Sequence, residues 1–319
     1  MFLRDTDFGN VFCASGARNF FGEGWRQNPW FVDWQGSTLV TKTTTLGLRD
    51  GNMPLNENLQ PREWLPRCIT LFPLQGAALN SVGLSGPGAG ALLGRGFWQK
   101  REEPFVVSFM SVGSTPEGRL RELTEFKSLF DGHLGDFQAK IALEINFSCP
   151  NVGLKPAELL KEVLDALRVA SDLTVPLIVK LNALAPPATV AAIADNPLCD
   201  AIFMSNTIPF GAKTDPPISW WRYSRWYGLR GVKSPLVYLG GGGLSGKPIF
   251  PVVCKWLEKF RKLDVSNPVI AGGGVFSKRD AIQLLDLGAS AISLGTVAML
   301  RPWRVQEIIQ AVNKHCCRT

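Results

Sequence analysis

The stretch Ile141-Ala-Leu-Glu-Ile-Asn-Phe-Ser-Cys-Pro-Asn-Val-Gly153 changes character halfway along. Ile141 to Ile145 is an apolar run of the kind found in strands covered on both faces. It breaks at once into hydrogen-bonding side chains (Asn146, Ser148, Asn151), one thiol, Cys149, and Pro150. Proline lacks the N–H that a ladder needs and restrains the residue before it, so Cys149 falls at or just past the strand's carboxyl end. A free cysteine is commonly a buried small hydrophobe. The amides around Cys149 make it a candidate for chemistry.

The same pattern recurs on either side. Asn10-Val-Phe-Cys-Ala-Ser-Gly16, Ser37-Thr-Leu-Val-Thr-Lys42 and Pro104-Phe-Val-Val-Ser-Phe109 precede it. Val175–Asn182, Asp200–Thr207, Asn267–Gly274 and Ala289–Thr296 follow it. Helical stretches separate several of these runs. Pro156 to Asp172 starts with a proline suited to a first turn and carries Leu159, Leu160, Val163, Leu164 and Leu167 on one face. Ser277-Lys-Arg-Asp280 opens a capping-box-like helix that Gly288 ends. Arg301 to His315 has a Val305, Ile308, Ile309, Val312 stripe. Eight strands alternating with helices predict a (β/α)8 TIM barrel, residues 1–319 forming a single domain. Two excursions, Gly51–Gly90 and Ile208–Gly246, read as long loops over the carboxyl-end face. The aromatics and arginines of the second (Trp220, Trp221, Trp226, Tyr223, Tyr227; Arg222, Arg225, Arg230) could stack on single-stranded nucleic acid, but packing is the favoured reading.

The 319 residues are 45% hydrophobic and 19% charged, which supports a sizeable core and argues against disorder. The net charge of +7 is spread without a basic run, so it suits an anionic small ligand at least as well as nucleic acid. Seven irregularly spaced cysteines, no CxxC and only two histidines argue against a disulfide framework or a zinc site. With no basic-then-apolar opening and no long apolar window, the expectation is a cytoplasmic protein without a membrane anchor or a metal.

Barrel enzymes place their chemistry at the carboxyl ends of the strands. That face would carry Ser15, Lys42, Ser108, Asn146, Cys149, Lys180, Asn182, Asn206 and Thr207. The last two strands end in Gly272-Gly-Gly274 and Gly295-Thr296, turns whose bare backbone can approach a phosphate. Lys180, ending an apolar strand, needs a partner. It could face an electron-rich cofactor, form a Schiff base or pair with a carboxylate. Asn80, Asn146, Asn151 and Asn206 offer paired donors and acceptors that match the edge of a cyclic imide, and Lys42 would add a charge for an acidic substituent. Gly241–Gly246 matches GxGxxG, but too late in the chain for a dinucleotide fingerprint, and Pro248 stands where a P-loop needs Ser or Thr.

These motifs resemble, in order and along essentially the whole chain, class 1 dihydroorotate dehydrogenase. Asn146-Phe-Ser-Cys-Pro-Asn151 is similar to that family's Asn-Leu-Ser-Cys-Pro-Asn loop. Ala14-Ser-Gly16, Thr41-Lys-Thr-Thr-Thr-Leu46, Leu79-Asn-Ser-Val-Gly-Leu84, Val179-Lys-Leu181, Ser205-Asn-Thr207, Gly242–Gly246, Gly272–Val275 and Leu294–Thr296 resemble its remaining motifs. The resemblance implies FMN held by Ala14, Ser15, Gly16, Lys42, Thr43, Ser108, Asn146, Lys180, Gly242, Gly243, Gly273, Gly274, Gly295 and Thr296. It implies dihydroorotate held by Lys42, Asn80, Val82, Gly83, Leu84, Asn146, Asn151, Asn206 and Thr207, with Cys149 as the catalytic base. The membrane-bound class 2 has serine at the Cys149 position. Leu84-Ser-Gly-Pro-Gly88 departs from the family's asparagine-bearing run. A fumarate-type homodimer and an NAD-linked form with a separate iron–sulfur/FAD electron-transfer subunit both stand, and Leu244-Ser-Gly246 leans to the second. A related dihydropyrimidine dehydrogenase and a Schiff-base aldolase using Lys180 are the competing enzymes.

Overall fold

A computed structural model describes residues 1–26, 32–147, 156–204 and 206–317. A short antiparallel pair opens it (β1, Phe2–Leu3; β2, Thr6–Asp7). The next strands are β3 (Val11–Cys13), β4 (Leu39–Val40), β5 (Ile69–Phe72), β6 (Ala77–Asn80), β7 (Phe105–Phe109) and β8 (Ile141–Asn146). After them come β9 (Leu177–Leu181), β10 (Ala201–Met204), β11 (Ile208–Pro209), β12 (Gly243–Gly246), β13 (Val269–Gly272) and β14 (Ala291–Leu294).

Eight of these form one parallel sheet in the order β3-β14-β13-β10-β9-β8-β7-β4. The sheet closes on itself: Phe12 bridges Thr38 in parallel, with Cys13 N–H donating to Thr38 O at 3.0 Å. The strands coincide with the apolar runs because residues on both sides of each strand are buried, inward against the opposite wall and outward under helices. In β7, β8, β9 and β10 every residue is buried. This is the expected (β/α)8 barrel.

The outer helices follow their sequence signals. Pro156–Ala170 buries Val163, Ala166, Leu167 and Ala170, while Leu159, Leu160 and Leu164 pack at its margin. The Ser277 hydroxyl accepts from Asp280 N–H at 3.2 Å to start Lys278–Asp286. Gly288 follows in the left-handed region at φ 97°. Val305–Cys316 buries Val305, Ile308, Ile309 and Val312.

The two excursions are only partly loops. They contribute β5, β6, β11 and β12, which pair as an antiparallel sheet in the order β11-β12-β6-β5 across the barrel mouth. Gly243 faces Asn80 and Gly246 faces Ala77. Tyr223, within the helix Trp221–Trp226, and Tyr227, just past its end, pack edge-on against Phe72 of β5, with ring centroids 4.9 and 5.6 Å away. Trp220 is buried beside Phe210. Those aromatics fasten the second excursion to the first, in agreement with the packing reading. No helix among the described residues is long and apolar enough to cross a membrane.

Candidate active site

The mouth sheet and the barrel's carboxyl end enclose a cleft of about 2030 Å³. That is roomier than the several hundred Å³ typical of a single small ligand. Residues that follow the barrel strands line it: Ala14, Ser15 and Gly16 after β3, Lys42 and Thr43 after β4, Asn206 and Thr207 after β10. Asn146 and Lys180 enter from β8 and β9, and Gly273, Gly274, Gly295 and Thr296 from beyond β13 and β14. The mouth sheet and its turns add Asn80, Val82, Gly83, Leu84, Gly242 and Gly243. Cys149 and Asn151 lie outside the described residues. Ser108 is wholly buried behind the cleft wall instead of lining it. Asn182 is turned to local work, its side-chain oxygen accepting from Leu184 N–H at 2.9 Å.

A chain of polar contacts crosses the wall. Ser15 Oγ lies 2.8 Å from Thr43 Oγ1, and Thr43 Oγ1 lies 2.8 Å from Ser108 Oγ. Ser108 donates to Glu144 Oε1 at 2.6 Å, and Lys180 Nζ donates to the same oxygen at 3.1 Å. Asn146 Nδ2 reaches Thr43 Oγ1 at 3.5 Å, and Asn206 Nδ2 reaches Asn146 Oδ1 at 3.3 Å. Asn206 Oδ1 accepts from Thr207 N–H at 2.8 Å. The amides therefore meet the cleft with their donor and acceptor ends already assigned.

Glu144 was not legible as part of the site. It sits wholly buried in β8, and the same rule that singled out Lys180 would have found it: a charge inside an apolar strand requires a partner. Ser245 is a second such residue. Its hydroxyl accepts from Thr296 Oγ1 at 2.9 Å and donates to Ala78 O at 3.2 Å, tying the mouth sheet to the end of the eighth barrel strand.

Lys42 is nearly inaccessible, and burial pulls its ammonium group down to about 7. Nζ donates to Ser85 O and stands 4.8 Å from the Phe20 ring centroid. Ser85 belongs to the run that departs from the family pattern; its hydroxyl also accepts from Met53 N–H at 3.1 Å. The loop is thus held by a serine and a lysine. At the far end, Gly273 and Gly274 have φ of 101° and 83°. A side chain at Gly274 would come within 2.6 Å of Gly246 O and 2.8 Å of Phe250 Cβ. The floor there is bare backbone, as a phosphate cradle requires.

The arrangement can take a planar, imide-bearing anion against amides and ammonium groups, beside a phosphate-bearing cofactor. Comparison with known proteins agrees with that chemistry. The family model for dihydroorotate dehydrogenase matches residues 3–315. The chain belongs to the dihydroorotate dehydrogenase family. Membership makes it an oxidoreductase with that family's FMN dependence. It is 29% identical over 317 residues to the "Dihydroorotate dehydrogenase B (NAD(+)), catalytic subunit" of Caldicellulosiruptor bescii, covering 96% of this chain and 89% of that one. Proteins of the same description from Thermodesulfovibrio yellowstonii and Pelobacter propionicus are each 31% identical. They cover 86% and 95% of this chain and 80% and 88% of their own lengths.

Proposed function

We propose that this protein, a class 1 member of its family, oxidises dihydroorotate to orotate in pyrimidine biosynthesis. The observation that carries the reading is the convergence of Asn80, Asn146, Asn206, Lys42 and Lys180 on one cleft at the barrel mouth. The donor set fits FMN: bare glycine backbone for the phosphate, hydroxyls at Ser15, Thr43 and Thr296, and an ammonium at Lys180. When bound, FMN supplies the two-electron acceptor for the hydride from C6 of the substrate.

The remaining work belongs to side chains of this protein. Cys149, as thiolate, takes the proton from C5, and the C5–C6 double bond forms as hydride and proton depart. Asn80, Asn146, Asn151 and Asn206 hold the two imide edges of the ring, since an amide pairs a donor with an acceptor. Lys42 holds the carboxylate in a site of low dielectric, where one charge pair is strong. Lys180 supplies positive charge to the pocket wall without moving a proton. Val82, Gly83, Leu84 and Thr207 complete the substrate wall. Ala14, Gly16, Gly242, Gly243, Gly273, Gly274 and Gly295 complete the cofactor's surroundings, and Ser108 stands behind them.

The requirement for Lys42 separates dihydroorotate from dihydrouracil, which has no carboxylate to pair with it. A Schiff-base aldolase is disfavoured because Glu144 engages the Lys180 ammonium, an arrangement built to hold a charge and not to present an amine. We further propose that residues 1–319 act as one domain, as a cytoplasmic homodimer working with a separate iron–sulfur/FAD electron-transfer subunit. The "catalytic subunit" description of its relatives supports a partner.

Anaerobic dihydroorotate should bleach the flavin absorption of the yellow holoprotein, and dihydrouracil should not. Cys149→Ala should keep FMN yet lose turnover by orders of magnitude, on the scale of a lost general base of about 10²–10⁴-fold, and Cys149→Ser should retain a residue of activity. Normal turnover by Cys149→Ala would sink the assignment of the base. NAD should be reduced only after the partner subunit is added; fumarate-supported turnover by the isolated chain would overturn that part.

A further inference from the structure

We infer that Glu144 is a positioning residue, one that orients the substrate-facing amide of Asn146 through Ser108 and Thr43 while it also holds Lys180. This rests on the functional reading above and adds to it a residue that never reaches the cleft.

The argument is a count of protons. Glu144 is wholly buried in β8. Its Oε1 receives both Ser108 Oγ, at 2.6 Å, and Lys180 Nζ, at 3.1 Å, while Oε2 is buried without a hydrogen-bond partner among the described residues. A carboxylate in an ion pair only accepts. Ser108 has one hydroxyl proton, and it is spent on Glu144. Ser15 Oγ is in the same position, its proton given to Thr41 O at 2.8 Å, so the single Thr43 proton serves the contacts to Ser108 and Ser15, both 2.8 Å away. Toward Asn146, Thr43 Oγ1 is left with lone pairs alone.

One of those neighbours is Asn146, whose Nδ2 stands 3.5 Å away. Thr43 therefore selects the amino end of the Asn146 amide. Oδ1 is turned to Asn206 Nδ2, at 3.3 Å, and to the cleft. Reverse the amide and two donors face each other at Asn206. The directionality set at Glu144, and shared at Thr43 with Ser15, thus runs across three strand ends to the group that reads the substrate ring. A carboxylate serving only as counter-charge for Lys180 would not need the 2.6 Å bond from Ser108. Hydrogen bonds to a charged acceptor are shorter and stronger than neutral ones, which is what gives the chain one direction.

Two variants test this on the FMN-loaded protein, with orotate binding followed by calorimetry and folding by thermal denaturation. Ser108→Ala cuts the chain but leaves the Glu144–Lys180 pair. It should retain FMN and a cooperative transition while orotate binds about tenfold more weakly, the weight of one oriented hydrogen bond. kcat/KM for dihydroorotate should fall by a similar factor. Glu144→Gln should weaken orotate at least as much and also move the flavin midpoint potential in the positive direction, because a negative charge leaves the wall. If Glu144→Gln does not fold, Ser108→Ala decides alone. Orotate affinity within twofold of wild type in a folded Ser108→Ala protein would overturn the proposal and leave Glu144 as a counterion. A wild-type protein that dihydroorotate fails to bleach would overturn the functional reading instead, and this inference with it.

Discussion

Lys42 shows how a single buried charge couples stability to ligand binding. Burial lowers it to about 7, against an unfolded value of about 10.4. Between those values the unfolded chain holds a proton that the folded chain lacks, so the cost of burying Lys42 shrinks as pH rises through the window. At or below pH 7 both states are protonated and the full cost is present. Lys42→Met should therefore raise the melting temperature most near pH 7, and the gain should fade towards pH 10; a gain constant across that range would contradict the assignment. Orotate binding has the opposite sign, because the carboxylate requires the ammonium form. Affinity should fall as pH rises above about 7, by at most about tenfold per unit, and calorimetry in buffers of different ionisation enthalpy should show proton uptake.

The elements differ in what holds them. The helix Lys278–Asp286 starts from a local device, the Ser277 hydroxyl accepting from Asp280 N–H while Asp280 Oδ2 accepts from Phe276 N–H at 2.9 Å. Ser277→Ala should cost about 1 kcal/mol in denaturant unfolding and leave FMN binding unchanged. Strand β12 depends on distant partners. Gly243 lies against the Thr207 side chain with no room for a Cβ, and its neighbour Gly242 takes φ 74° while packing on Asn80 O. Gly243→Ala should displace β12 from Thr207 and Asn80. The expected signature is a loss of orotate and FMN affinity, about tenfold or more for the 1–3 kcal/mol of overpacking, with a smaller change in melting temperature. Unchanged affinity would show that the mouth sheet is not part of the binding surface.

At the scale of the molecule, the barrel supplies one wall of the cleft and the antiparallel mouth sheet the other, so a bound ligand links two layers. FMN at about 100 times its dissociation constant should stabilise the fold by about 2.7 kcal/mol. Hydrogen exchange should slow most at Ala77–Asn80 and Gly243–Gly246, the paired strands over the cleft, and little in the already buried barrel strands. Equal slowing everywhere would mean that the mouth sheet opens only with the whole barrel. Ser245, bonded to both Thr296 and Ala78, is the contact through which such coupling would pass.

The sequence by itself determined the barrel, because strands covered on both faces declare themselves as unbroken apolar runs such as Ile141–Ile145, and because caps like Ser277 and Gly288 are local. It also determined which polar residues stand at the strand ends, because the unbroken apolar runs mark where each strand stops. Tertiary structure alone decided the mouth sheet: β5 and β6 are four residues each, and β12 is half glycine, which has poor strand propensity. The pairing of β12 with β6 spans more than half the chain and leaves no periodic trace. It alone decided, too, that Ser108 stands behind the cleft rather than in it and that Glu144 answers Lys180. A buried charge announces that it needs a partner, but only packing names the partner and the direction in which the protons between them point.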